Sequence, residues 1–422
     1  MPPPRRSAAV IAAFRAIDVE LSERRLRIVL AVLFALSTIF VALCVQSVVT
    51  ATPPHKFNDF QALWTSGVLA HDGEPTANYN SETLHLRQVA LGMSADEHGP
   101  FPYPPIFLLI LAPLGGLNRA AAYDVFIGAS FVLYLWTSIG GRWRAWPHLV
   151  GALAAPATGV NFIFGQSGFL ASGLMLGGLN FAERRPIVAG ALFGLLAFKP
   201  QLGLLAPVAL VAAGLWRTIA AACATLVVCA AAATAAFGAN IWGLWLSSLI
   251  DYSRTPMINR LMPTVAGSLR LSGAPASVAL AAQTIATVAI ATIVWRACRT
   301  GITPRAAALV VVGTFLATPH AMNYDLPMTT FAVVWYLEHR LRATRGLFVG
   351  EIVVLSLALA LPAAELGFGG HTPPIAWAPL MALFCLIAID PYAARAAAAP
   401  ASDHDEARTR SSLNAAPRRR AG

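Results

Sequence analysis

Three short stretches of this chain put ionisable side chains where long apolar runs begin or end. "PPHKFNDFQALWTSG" (53–67) sets Asp59 between Phe57, Phe60 and Trp64. "ATPHAMNYDLP" (317–327) gathers His320, Asn323, Tyr324 and Asp325, and "AFKPQLGLLAP" (197–207) holds Lys199 and Gln201. Ionisable groups at membrane depth are expensive and are functional-site candidates by default. A carboxylate among aromatic rings gains proton affinity from desolvation, which suits a general base; a plain helix N-cap would also account for Asp59. His320 reads as a functional histidine because four polar side chains crowd into six residues there. Lys199 has no acidic residue between Arg185 and Asp251 to pair with. It is either a snorkelling lysine or a cation held for an anionic group such as a lipid phosphate. Gln166 of "GQSG" (165–168) and Gln201 are suited to bonding sugar hydroxyls, or to satisfying broken helix ends. In "FPYPPIFLLILAPL" (101–114) the consecutive prolines first set an extended lead into a helix, with Tyr103 beside any site they serve.

The elements that must carry these residues are membrane helices. The 422 residues are 57% hydrophobic and 12% charged, with mean hydropathy +0.63, whereas soluble domains carry roughly a quarter charged residues. Apolar runs recur at about 26–48, 103–117, 120–140, 147–164, 167–182, 186–198, 201–215, 217–237, 276–296, 305–318, 325–338, 348–366 and 374–391. Several are short and rich in Gly and Pro, and broken helices are tolerated at that depth only around protein or a watery cavity. The net charge of +10 is carried by arginines at the ends of these runs, such as Arg184 and Arg185, Arg296 and Arg299, and Arg340, Arg342 and Arg345. That is the pattern of orientation-setting cytoplasmic loops, not of a nucleic-acid surface. The basic leader (1–25) and the polar tail (393–422) are both placed in the cytoplasm, which requires an even number of crossings, about twelve. One segment within 103–182 therefore dips in or merges with its neighbour, and Arg119, Arg142 and Arg144 cannot all be cytoplasmic in simple alternation. Residues 49–102, with six acids against Lys56 and Arg87, and residues 238–275 form extracytoplasmic loops. Trp242, Trp245 and Tyr252 in the second suit the membrane interface. The tail is disordered by composition.

The chain has no nucleotide loop, no HExxH, no CxxC and no GxSxG elbow. The five cysteines read as small buried apolar residues. Asp59 is flanked by Asn58 and Phe60 rather than by a second acid, so no metal or other cofactor is expected; a hard cation wants several oxygens close together.

In order, "DFQALWTSGVLAHDGEPTANYN" (59–80), "FPYPPIFLLILAPL" (101–114), "GQSGFL" (165–170), "FKPQLGLLAP" (198–207) and "TPHAMNYDL" (318–326) resemble glycosyltransferase family 87. The resemblance covers roughly residues 25–392. The better-known members are bacterial polyprenyl-phosphate-mannose-dependent α-mannosyltransferases. It implies an all-α polytopic GT-C fold in the cytoplasmic membrane, with an extracytoplasmic active site. It also implies a polyprenyl-phosphate sugar donor and a glycan or glycolipid acceptor. Asp59 matches the family's early aspartate, the presumed base; His320 matches its late histidine and Lys199 its "KPQ" lysine. Those two would be the cations that meet the leaving phosphate. At Ser167 the chain departs from the family, which more often has Asn there, and no sugar-binding role carries over to it. The rival readings are a secondary transporter, which would usually show paired halves, and a scaffold subunit, which leaves the ordered polar motifs unexplained.

Overall fold

The computed structural model describes residues 19–51, 58–140, 146–253, 262–344, 346–367 and 375–390. The leader up to residue 18, His55, Lys56 and Phe57, Arg142 and Arg144, residues 254–261, Arg345 and the tail from 391 lie outside the described residues. So does the Asn58 side chain.

The described chain is helical, its one strand-like contact being a bridge between Glu20 and Phe348. In order the α-helices are α1 (Glu23–Thr50), α2 (Asn58–His71), α3 (Ser81–Ala90), α4 (Leu108–Gly115), α5 (Arg119–Ser138), α6 (Trp146–Ala154), α7 (Pro156–Phe164), α8 (Gly168–Phe181) and α9 (Pro186–Leu195). They continue as α10 (Ala206–Ala212), α11 (Trp216–Phe237), α12 (Ile241–Ser253), α13 (Val265–Leu271), α14 (Ala276–Cys298), α15 (Pro304–Ala317), α16 (Thr329–Thr344), α17 (Val349–Gly367) and α18 (Trp377–Ile389). Prolines open many of these elements at their first turn, among them α7, α9 and α15, where the missing N–H costs nothing.

Four helices, α1, α5, α11 and α14, are long and apolar enough to cross a membrane; α6 and α7, bent by 51° to one another, make a fifth if taken as one span. The other apolar helices have 10–17 residues, short of the about 20 that a straight crossing needs. α1, α11 and α14 turn large apolar side chains outward, including Ile28, Leu36, Val227, Val228, Ile285 and Val288. An apolar exterior on that scale marks a lipid-facing surface. α15 is the opposite: every residue from Ala306 to Ala317 is buried, which makes it the central helix.

Chain direction defines two ends. α15 starts at Arg305, which donates to the Ile387 and Ala388 carbonyls closing α18, and finishes just before His320. α16 runs back from Thr329 to Arg340, whose guanidinium is fixed on Glu351 at 2.8 Å. Glu183, next to Arg184, accepts from the Ile302 N–H at 2.7 Å, and Leu21 N–H reaches the Leu347 carbonyl at 3.2 Å. The arginine clusters among the described residues thus collect at one end, and the polar motifs collect at the other. Arg119 belongs to the second end: it donates to Gln61 of α2 at 2.6 Å.

The apolar run at 103–117 packs back along α2. It leaves the motif end at Tyr103 and returns to α2 at Leu117, whose carbonyl accepts from the Trp64 indole at 3.0 Å. Between those points α4 crosses α2 at Gly67 and Gly115, where a Cβ on either would stand 2.3–2.4 Å from the other helix's backbone oxygen. The reason is length: from Pro105 to Gly115 the helix spans only about 16 Å at 1.5 Å per residue. The expected outer loop after α1 is likewise folded rather than loose, with α2 and α3 burying Phe60, Leu63, Leu69 and Leu84.

Candidate active site

The motif end holds a cavity of about 220 Å³ lined by Tyr103, Lys199, Gln201, Trp245, Tyr252, His320, Tyr324 and Asp325, together with prolines, Phe198, Leu249 and Met322. The polar members from the sequence motifs stand at breaks between helices, and the breaks have sequence causes. Pro104 is extended (φ −64, ψ 156) and Pro105 opens a 3-10 turn (Pro105–Phe107), so Tyr103 is presented on extended backbone. Pro200 forces Lys199 out of helical geometry (φ −129, ψ 72) between two 3-10 turns, Leu196–Phe198 and Pro200–Gly203. Pro327 lies in a fourth such turn, Asn323–Met328. Asn161 of α7 donates to the Tyr324 carbonyl at 2.7 Å, Tyr134 of α5 to that of Pro327 at 2.9 Å, and the Met328 N–H donates to Ser172 of α8 at 3.1 Å. Three helices therefore hold this turn.

Inside the cavity Lys199 Nζ lies 2.6 Å from Asp325 Oδ1, with 3% and 1% of the two side chains exposed. The second oxygen, Oδ2, accepts from the Met322 N–H at 3.1 Å, so Asp325 caps its own turn while it balances the lysine. Lys199 also sits 4.8 Å from the centre of the Tyr324 ring and 5.6 Å from that of Tyr103, cation–π distances. This answers the absence of a local partner in sequence: the counter-ion is 126 residues away.

Asp59 stands behind the cavity wall rather than on it. It is half-buried in the first turn of α2. Burial pushes its carboxyl up to about 6; the Gln166 side chain opposes that rise and the charge of Glu97 adds to it. Gln166 Oε1 accepts from the Tyr103 hydroxyl at 3.4 Å, and it follows Gly165, which is left-handed (φ +63) and lacks a Cβ that would meet the Phe60 Cβ at 2.6 Å. Gly168 likewise lets the Tyr324 carbonyl approach to where its Cβ would be. Ser167 is fully buried.

His320 lines the cavity half-buried, edge-on to Tyr252 at 5.7 Å between ring centres. Burial lowers it to about 4, with Asp325 pulling it up and Lys199 pushing it down. That favours the neutral imidazole at neutral pH. Asn323 lies outside the cavity lining, and its side-chain oxygen accepts from the Tyr324 N–H at 2.7 Å, a turn-building contact.

The sequence profile of glycosyltransferase family 87 matches residues 101–319, just over half of the chain. The chain belongs to glycosyltransferase family 87. No curated protein and no solved structure matches it. The matched region contains Tyr103, Gln166, Lys199 and Gln201 and stops one residue short of His320, with Asp59 and Asp325 outside it.

Membership makes the protein a glycosyltransferase with a sugar donor and an acceptor as substrates, and its apolar helices make it a multi-pass membrane protein. Trp245 and Tyr252 read from sequence only as interface aromatics. They line the cavity with Leu249, all on one face of α12 at spacings of four and three residues, and the Trp245 indole is fixed on the Pro102 carbonyl at 3.1 Å. The helical spacing was the available signal; that this face turns inward was not.

Proposed function

We propose that this family 87 enzyme is an inverting hexosyltransferase of GT-C architecture with about twelve crossings, some made by broken helices. Its donor is a polyprenyl-phosphate hexose, with mannose the sugar the family resemblance favours, and its acceptor a glycan or glycolipid. Asp59 takes the proton of the acceptor hydroxyl; the oxygen attacks the anomeric carbon from the face opposite the phosphate, and the polyprenyl phosphate leaves with the bonding pair. A phosphate is already anionic when it leaves, so it needs charge rather than a strong acid, and Lys199 is the cation at hand. His320, neutral, serves as a hydrogen-bond partner for a hydroxyl or phosphoryl oxygen. The arginines at the far end support an extracytoplasmic position for the cavity in the cell's cytoplasmic membrane.

The observation that carries this reading is a small cavity that holds a buried ammonium, at the end away from the arginines, with the Asp59 carboxyl behind its wall. The test is transfer from a polyprenyl-phosphate hexose by purified Asp59→Asn enzyme. Turnover should fall to background with unfolding temperature undiminished; full retained transfer refutes the base, and solute uptake in proteoliposomes without lipid-linked sugar would favour a transporter.

A further inference from the structure

The cavity has two chemical sides, and the division follows the chain. The turns around 199–201 and 320–325 bring its charged, amide and imidazole groups, Lys199, Gln201, His320 and Asp325. One helix, α12, brings two rings and an aliphatic side chain, Trp245, Tyr252 and Leu249, spread over about two turns. A pyranose is divided in the same way, with hydroxyls around its edge that want hydrogen bonds and C–H faces that want apolar cover. Among the described residues the Gln201 amide and the His320 imidazole make no hydrogen bond, so both are free to meet hydroxyls.

Trp245 is the member of that face held as a platform. An indole can only donate, and its one N–H is spent on the Pro102 carbonyl at 3.1 Å. What remains for the cavity is a π surface rather than a hydrogen bond. Trp242 fixes the ring from a second side, nearly perpendicular to it (80°) at 6.1 Å between centres, and itself donates to Thr234 of α11 at 2.9 Å. A ring held before the ligand arrives loses little freedom on binding. The anchor also sets its place: Pro102 precedes Tyr103, whose ring centre is 5.6 Å from Lys199 Nζ. Trp245 is thus tied to the segment that packs against the cation. A donor hexose is joined to its phosphate through one oxygen, so a phosphate at Lys199 brings the sugar ring to this part of the cavity.

We propose that Trp245 is the residue on which the donor's hexose ring stacks, positioning it beside Lys199 and selecting a glycosylated lipid phosphate over the bare one. The proposal rests on the donor being a polyprenyl-phosphate sugar. The rival occupants of the same surface are the polyprenyl chain and a sugar of the acceptor.

The experiment measures binding to the purified full-length protein in detergent, with undecaprenyl-phosphate mannose, undecaprenyl-phosphate glucose and undecaprenyl phosphate as probes. Wild type should bind at least one glycosylated lipid more tightly than the bare phosphate. Trp245→Leu, which keeps apolar bulk and removes the π face, should weaken that lipid about tenfold and leave undecaprenyl phosphate within about twofold. Trp245→Phe, which keeps a ring, should recover most of the loss. The fluorescence difference between wild type and Trp245→Phe isolates Trp245 among the ten tryptophans. It should change with the glycosylated lipid and not with the bare one, and it decides the matter alone if Trp245→Leu does not fold; no change with the glycosylated lipid overturns the proposal. Equal weakening of glycosylated and bare lipids would put the polyprenyl chain on Trp245, and donor binding unchanged in Trp245→Leu would leave the ring to the acceptor; either overturns the proposal while the donor reading stands. A wild type that binds neither glycosylated lipid better than the bare phosphate sinks the donor reading, and the platform with it.

Discussion

Replacing Asp325 by asparagine should destabilise the protein through Lys199 rather than through Asp325 itself. The pair is 2.6 Å apart with 3% and 1% of the side chains exposed. At an effective dielectric near 20 that separation corresponds to about 6 kcal/mol of gross attraction. Desolvation of both ions consumes much of it, yet removing one partner strands the other, at about 3–5 kcal/mol. The introduced amide oxygen would still be able to accept from the Met322 N–H, so the turn's cap survives and the loss isolates the charge. Lys199→Met/Asp325→Leu should return most of the stability, because no unpaired ion is left buried. The assay is unfolding of wild type, Asp325→Asn, Lys199→Met and the double variant in detergent, followed by tryptophan fluorescence. Asp325→Asn should lie on the order of 5 °C below wild type and the double variant close to wild type. Activity should stay lost in the double variant, since the ammonium is gone. A cost below about 1 kcal/mol for Asp325→Asn, or a double variant as unstable as the sum of its singles, would refute the argument.

The pH dependence has a definite sign. Asp59 rises from 3.8 unfolded to about 6 folded, so its stabilising contribution is present below pH 3.8 and is lost as pH rises through about 6. Transfer, which needs the carboxylate, should rise as pH passes through about 6. Asp59→Asn should flatten that part of the stability curve in a pH series of melts. Because His320 is held near 4, the rate profile between pH 5 and 8 should show the Asp59 limb without a histidine limb. Gly165→Ala should cost about 1–3 kcal/mol, since it strains a positive φ and drives a Cβ to 2.6 Å from that of Phe60; a melt within error of wild type would count against the close approach. Transfer should be unchanged in EDTA, because Asp59 is flanked by Asn58 and Phe60 rather than by a second acid and a hard cation wants several oxygens close together; complete loss restored by Mg²⁺ or Mn²⁺ would refute this.

Composition alone determined that this is a helical membrane protein, because 57% hydrophobic residues leave too little polar surface for water. The prolines of "YPP", "KPQ" and "NYDLP" made the helix breaks legible, since a fixed φ and a missing N–H act locally whatever the fold. Arginine placement gave the two ends for the same reason: charge at a run's end needs no tertiary knowledge to interpret. The run at 103–117 reads as a candidate span because hydropathy reports burial and cannot tell lipid from the side of α2. Trp245 and Tyr252 read as interface anchors because one aromatic face serves either purpose. What only the folded chain decided were the partners. Lys199 meets Asp325 across 126 residues, Tyr103 meets Gln166 across 63, and His320 is lowered by the burial around it. Charge and protonation depend on what surrounds a group in three dimensions, and a linear sequence holds that information only through the packing it produces.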